Sequence, residues 1–164
     1  MIFIGLGANL PSPRYGDPVN TCAAALVALQ EAGVAVARRS RWYRSAPVPR
    51  SDQPWFVNGV AQVETGLGPG ELLAVLHGVE RAFGRVRRLR NEARMIDLDL
   101  LAYGLQVSTP GQTPVLPHPR LAERAFVVLP LAELAPQWRH PLSGLSAAEL
   151  ALRLPPDQAA EPIE

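Results

Sequence analysis

Two carboxylates stand two residues apart in Arg94-Met95-Ile96-Asp97-Leu98-Asp99-Leu100-Leu101. On a strand, residues at that spacing project to the same side. Ile96, Leu98, Leu100 and Ala102 then project to the other side as a continuous apolar face. Neighbouring carboxylates repel one another, and a divalent cation between them relieves the conflict; hard oxygen donors favour magnesium. The same spacing also suits two solvated acids on an exposed face, or acids paired with arginine.

Six arginines fall between residues 81 and 94: Arg81, Arg85, Arg87, Arg88, Arg90 and Arg94. The run has too few apolar residues to pack tightly and reads as a mobile basic loop leading into the Asp97 strand. Beside a magnesium-competent acid pair it suits a polyphosphate clamp, because guanidinium forks hold phosphate oxygens bidentately. All 16 basic residues are arginine and none is lysine. A P-loop lysine, a Schiff-base lysine and a kinase-type strand lysine are therefore excluded. Phosphate must be held by guanidinium, backbone N–H groups or metal.

His118 lies between Pro117 and Pro119, which fix its backbone, and Arg124 follows closely. A contact to phosphate suits this pair, as does a purely structural role. Phe126 opens an apolar run and reads equally as core. Phe56 and Asn58 share a strand face, where an aromatic ring and an amide can hold a flat heterocycle and read its edge.

These residues need elements to position them. Met1–Ala8 reads as a buried first strand. Asp17-Pro18 opens a helix that Gly33 closes, with Val19, Cys22, Leu26 and Leu29 on one stripe. Residues 34–45 are extended, and the proline-rich stretch 45–54 is a loop. Residues 55–65 alternate as a strand. Residues 69–84 form an amphipathic helix, and 96–103 form a strand. Residues 121–134 are helical, kinked or divided by Pro130. A short helix near 146–153 precedes a proline-rich, acidic tail. This order predicts an α+β fold, a ferredoxin-like split βαβ sandwich with helices on one face of a largely antiparallel sheet.

At 164 residues the chain suits one domain, over 1–155, with a flexible tail at 156–164. A net charge of +1 offers no global field for nucleic acid. The lone Cys22 supplies no disulfide. No apolar run reaches membrane-spanning length and no signal-peptide layout is present. A cytoplasmic protein is expected.

The sequence resembles the 6-hydroxymethyl-7,8-dihydropterin pyrophosphokinases. The matching stretches are Gly5-Leu6-Gly7-Ala8-Asn9-Leu10, Tyr43-Arg44-Ser45-Ala46-Pro47, Asp52-Gln53-Pro54, Phe56-Val57-Asn58, Gly84-Arg85-Val86-Arg87, Arg94 to Asp99, Leu116-Pro117-His118-Pro119 and Arg124-Ala125-Phe126. They run in the family's order to about Pro136.

The resemblance implies transfer of diphosphate from ATP to a hydroxymethyl-dihydropterin in folate synthesis, releasing AMP. It implies that Asp97 and Asp99 hold two Mg2+ ions. It further implies that Arg85, Arg94, His118 and Arg124 contact the triphosphate, with Arg87 joining from the loop and His77 and Glu80 near the nucleotide. The pterin would stack between Phe56 and Phe126, with Asn58, Ser45 and Val48 at its edge. Where many relatives carry Trp-Gly-Pro this chain has Asn91-Glu92-Ala93; Phe56 replaces a frequent tyrosine, and Pro119 an aromatic. No residue stands out as a general base, Asp97 being the nearest. Expected partners are small molecules alone, with no nucleic acid or membrane, and the chain acting as a monomer. An RNA-binding module and a pyrophosphate-releasing nucleotidyltransferase are the rival readings.

Overall fold

Ile2–Ala8, strand β1, is apolar on both sides: Ile4, Leu6 and Ala8 are buried on one face and Phe3 on the other, as befits a central strand. The computed structural model describes residues 1–47, 49, 51–84 and 95–164. After β1 come α1 (Pro18–Glu31), β2 (Ala35–Arg39), β3 (Tyr43–Ser45), β4 (Phe56–Glu64), α2 (Pro69–Ala82) and β5 (Asp97–Tyr103). A 3-10 turn (Leu121–Glu123), α3 (Ala125–Leu134), α4 (Ala147–Leu152) and β6 (Ala160–Pro162) complete the order.

The sheet runs β5-β1-β4-β3-β6, with β2 also on β4, and every pairing is antiparallel. The unit β1-α1-β2 is split by β4, and the unit β4-α2-β5 is split by β1. This is the ferredoxin-like α+β arrangement that the sequence predicts.

Helices cover both faces of the sheet, where one face was expected. On the first face, Cys22, Leu26 and Leu29 of α1 and Leu72, Leu76 and Val79 of α2 pack on Ile4, Leu6, Leu98 and Leu100. On the second, Val127, Val128 and Leu131 of α3 and Leu150 of α4 pack on Phe3, Val60 and Leu101. Strands with apolar residues on both sides demand the second layer, since each large apolar side chain fully buried contributes roughly 1.5–3 kcal/mol. Among the described residues no helix is long and apolar enough to cross a membrane.

Four details differ from the sequence reading. The extended stretch 34–45 divides into β2 and β3 where Trp42 turns inward over Gly59; a Cβ at Gly59 would lie 2.6 Å from the Trp42 ring. Pro130 does not divide its helix. The break falls upstream at Arg124, and Pro130 sits inside an unbroken α3, where its missing N–H forgoes one helical bond. A bulge opposite Phe3 and Ile4 shifts the β1–β5 register, so Ala102 joins Leu101 on the second face instead of following Leu100. The tail, expected to be frayed, carries β6, which pairs with β3 in the register Tyr43↔Pro162 and Ser45↔Ala160. The outer edge of β3 offers backbone partners, and these outweigh the tail's poor strand propensity.

Candidate active site

A cleft opens over the second face of the sheet, beside the packed end of α3. It is open to solvent and lined by Gly5, Gly7, Ser45, Gln53, Phe56, Asn58, Asp97, Asp99, Arg124 and Phe126, among others. Its floor is made of glycine. Gly7 stands between Asn58 on β4 and Asp97 on β5, and Gly5 between Val60 and Asp99. A Cβ at Gly7 would lie 3.1 Å from Asn58 Nδ2 and 4.0 Å from Phe56 Cδ1. The bare backbone of β1 thus keeps open the gap between an amide and two carboxylates.

Asp97 and Asp99 are half-buried and share the cleft side of β5, while Leu98 and Leu100 are buried on the other face. The peptide between them is held from behind. Glu80 is 1% exposed, and its Oε2 accepts the Leu98 N–H at 2.9 Å. The sequence reading placed Glu80 and His77 toward a nucleotide. In the structure Glu80 turns to the backbone of β5, and neither residue is among the described residues that line the cleft. Glu80 therefore supports the aspartate strand. His77, a turn earlier on α2, is half-buried.

The opposite wall is built from β3, β4 and the loop between them. Ser45 and Asn58 are both buried, and Ser45 Oγ donates to Asn58 Oδ1. With its oxygen so engaged, the Asn58 amide presents its NH2 over Gly7. Phe56 precedes Asn58 on the same strand and lines the cleft. The loop is pinned by Asn9, whose Nδ2 donates to Gln53 Oε1 at 3.0 Å and to the Pro54 carbonyl at 3.2 Å. Asn9 and Gln53, like the floor glycines, are site residues the sequence reading did not assign. They lie inside the stretches Gly5 to Leu10 and Asp52 to Pro54, and those stretches were the available signal.

The third wall is cationic. Arg124 is the N-cap of α3, and its Nε is buried with no hydrogen-bond partner among the described residues. Its guanidinium lies 5.5 Å from the centre of the Phe126 ring. Burial first, then the Arg120 charge, lowers the Arg124 pKa, while Asp99 and Asp97 pull it back up. Arginine remains charged throughout. This is a part-buried cation that lines the same cleft as the acid pair.

His118 joins Arg124 through its charge environment. Its backbone N–H donates to the Leu101 carbonyl at 2.8 Å, and its Nδ1 accepts the Arg120 N–H at 3.2 Å. Burial, then the Arg124 charge, pushes its pKa down to about 4, with Asp97 opposing and Arg120 adding. The ring is neutral near pH 7. Because Nδ1 accepts, the ring proton sits on Nε2, which is left as a donor. The structure thus brings together Ser45, Phe56, Asn58, Asp97, Asp99, Arg124 and Phe126, with His118 coupled to them. Val48, Arg85, Arg87 and Arg94 lie outside the described residues.

Residues 3–136 match the family model described as 7,8-dihydro-6-hydroxymethylpterin-pyrophosphokinase. The chain is 44% identical over 136 residues to a 2-amino-4-hydroxy-6-hydroxymethyldihydropteridine pyrophosphokinase of Methylorubrum extorquens, covering 82% of each chain. It is 41% identical over 140 residues to the protein of that name from Pseudomonas aeruginosa, covering 85% of this chain and 83% of that one. A folic acid synthesis protein of Pneumocystis carinii, 36% identical over 147 residues, is spanned over only 19% of its length. Among solved structures, Plasmodium falciparum HPPK-DHPS is similar with a TM-score of 0.70 at 13% identity, over 93% of this chain and 44% of that one. That likeness shows the fold.

Proposed function

We propose that this chain, which belongs to the 7,8-dihydro-6-hydroxymethylpterin-pyrophosphokinase family, transfers diphosphate from ATP to the hydroxymethyl oxygen of 6-hydroxymethyl-7,8-dihydropterin in folate biosynthesis. One observation carries the reading into the cleft. A slot with an oriented amide and two phenylalanines opens directly onto a paired carboxylate and a part-buried arginine.

The reaction conserves atoms simply. The hydroxymethyl oxygen bonds to the β-phosphorus as the bond from that phosphorus to the α–β bridging oxygen breaks. AMP leaves with the oxygen and its electron pair, and the hydroxyl proton passes to solvent.

Phe56 and Phe126 flank the pterin ring, each contact adding roughly 0.5–1.5 kcal/mol beyond its buried area. Asn58 donates to the ring edge, and Ser45 keeps the amide from turning over. Arg124 donates charge-assisted bonds to the triphosphate. His118 adds a neutral Nε2–H donor toward the same phosphates.

Asp97 and Asp99 fit magnesium: two hard carboxylates on one strand face, beside a floor without side chains, leave most of an octahedral shell to phosphate oxygens and water. Two ions are assigned to them. Magnesium bound there would offset charge developing on the bridging oxygen and ease ionisation of the hydroxyl.

Product analysis tests the reading. Incubation with magnesium, ATP and the pterin should give AMP in equal amount to pterin diphosphate. ADP would point to an ordinary kinase, and pyrophosphate to a nucleotidyltransferase. Binding of RNA at physiological salt without turnover would favour the module reading.

A further inference from the structure

One side chain brackets Arg124. This residue stands between the 3-10 turn and α3 with extended backbone, φ −107° and ψ 115°. The carboxamide of Gln158 spans it: Oε1 accepts the Ala125 N–H at 2.8 Å, and Nε2 donates to the Glu123 carbonyl at 2.6 Å. The Ala125 N–H is one of the orphan donors of a helix first turn, which the helix itself cannot satisfy. Arg124, as N-cap, makes no side-chain cap bond, so the acceptor comes from 33 residues further along the chain.

The segment carrying Gln158 also reaches the opposite wall. The Ala159 carbonyl accepts the Ala46 N–H at 3.1 Å, and Ala160 pairs with Ser45. Residues 158–160 therefore tie the Arg124–Phe126 wall to the Ser45–Asn58 wall. Gln158 lies beyond residues 3–136, the stretch matched by the family model.

The Arg124 side chain has the Phe126 ring 5.5 Å from its guanidinium, but its buried Nε has no hydrogen-bond partner among the described residues. The peptide groups on both sides of Arg124 fix where that side chain starts. We propose that Gln158 is a positioning residue: by gripping the peptide groups on both sides of Arg124, it aims that guanidinium into the cleft and sets how tightly the triphosphate is held. The inference rests on the assignment of Arg124 to the phosphates.

The test is a double-mutant cycle on the full chain, with magnesium and α,β-methylene-ATP as the calorimetric probe. Gln158→Ala should weaken binding of this analogue roughly fivefold, the worth of about one net hydrogen bond. The KM for ATP should rise alongside, with a smaller change in the KM for the pterin, whose Ser45 and Asn58 contacts lie on the other wall. The loss should vanish in an Arg124→Ala background, because coupled residues are non-additive. Gln158→Glu keeps the acceptor for Ala125 and sets a charge against the Glu123 carbonyl; it should show the same loss, and carries the test should the alanine chain not fold. Wild-type affinity in both variants, or the same loss with Arg124 absent, would overturn the inference. An Arg124→Ala chain that binds the analogue as the wild type does would overturn the phosphate assignment and the inference with it, a result distinct from failure of Gln158 alone.

Discussion

Glu80 Oε2 accepts the Leu98 N–H at 2.9 Å, so a buried carboxylate on α2 holds the peptide that joins Asp97 to Asp99. β5 is an edge strand, and α2 supplies the acceptor that a further strand would otherwise provide. Glu80→Ala leaves that donor buried and unpaired, at a cost of about 1–3 kcal/mol. Glu80→Gln retains an acceptor of the same reach. We expect urea unfolding to show a large loss for the alanine variant and a small one for glutamine, with turnover following the same order. Equal losses in both would assign the effect to the charge of Glu80 rather than to its hydrogen bond.

The aspartates themselves carry little of the fold, being half-buried on the cleft side. Asp97→Ala and Asp99→Ala should each retain wild-type circular dichroism and thermal midpoint while losing turnover roughly a thousandfold or more, several kcal/mol of transition-state stabilisation. Turnover within about tenfold of wild type in either variant would exclude that aspartate as an essential metal ligand.

How far these residues could be read in advance depended on what decides their direction. The aspartate pair was legible because a strand's period of two forces Asp97 and Asp99 to one side once Leu98 and Leu100 go to the core. Glu80 was not. Its place near His77 on α2 pointed toward a nucleotide, while its bond to the Leu98 N–H depends on how α2 is rotated against the sheet, a tertiary matter. The second helical layer was missed because Phe3 and Leu101 need cover that their local pattern does not identify. Likewise β6 exists through pairing with β3, where propensity alone predicts a loose end. The floor glycines have extended backbones, so their role lay in what a Cβ would strike, visible only once β1 was set between β4 and β5.

His118 should leave a signature in the pH dependence of stability. Its folded pKa, pushed down to about 4 chiefly by burial, lies below the ordinary imidazole value of about 6.5 expected in the unfolded chain. Between these values the unfolded state binds the extra proton. The contribution is therefore intact above pH ~6.5 and drains away as pH falls toward 4. His118→Gln removes the titration while keeping an N–H donor. The wild type should lose stability more steeply than this variant between pH 7 and pH 4.5, read from urea midpoints at stepped pH. His140, also lowered by burial, is common to both chains and cancels. Identical slopes would mean that the imidazole is not held neutral by its surroundings.

The glycine floor yields the most selective prediction. Gly7 lies on an extended strand with no positive φ, so alanine meets no backbone strain there. Its Cβ would instead lie 3.1 Å from Asn58 Nδ2, tighter than ordinary van der Waals contact, and 4.0 Å from Phe56 Cδ1. The amide must give way, yet its oxygen is held by Ser45, so the NH2 would move within the cleft and out of register with a pterin edge. Arg124 and His118, on the other wall, keep their positions. Gly7→Ala should therefore change stability by less than about 1 kcal/mol, the loss of glycine's unfolded-state freedom offsetting part of the crowding. It should raise the KM for the pterin several-fold while leaving the affinity for magnesium and ATP near wild type. Gly7→Val, with two more methyl groups over the same floor, should abolish pterin binding and still bind nucleotide. Isothermal titration with each ligand separately decides the matter. An equal loss of both affinities would place Gly7 in the fold's stability rather than in the floor of the pterin slot.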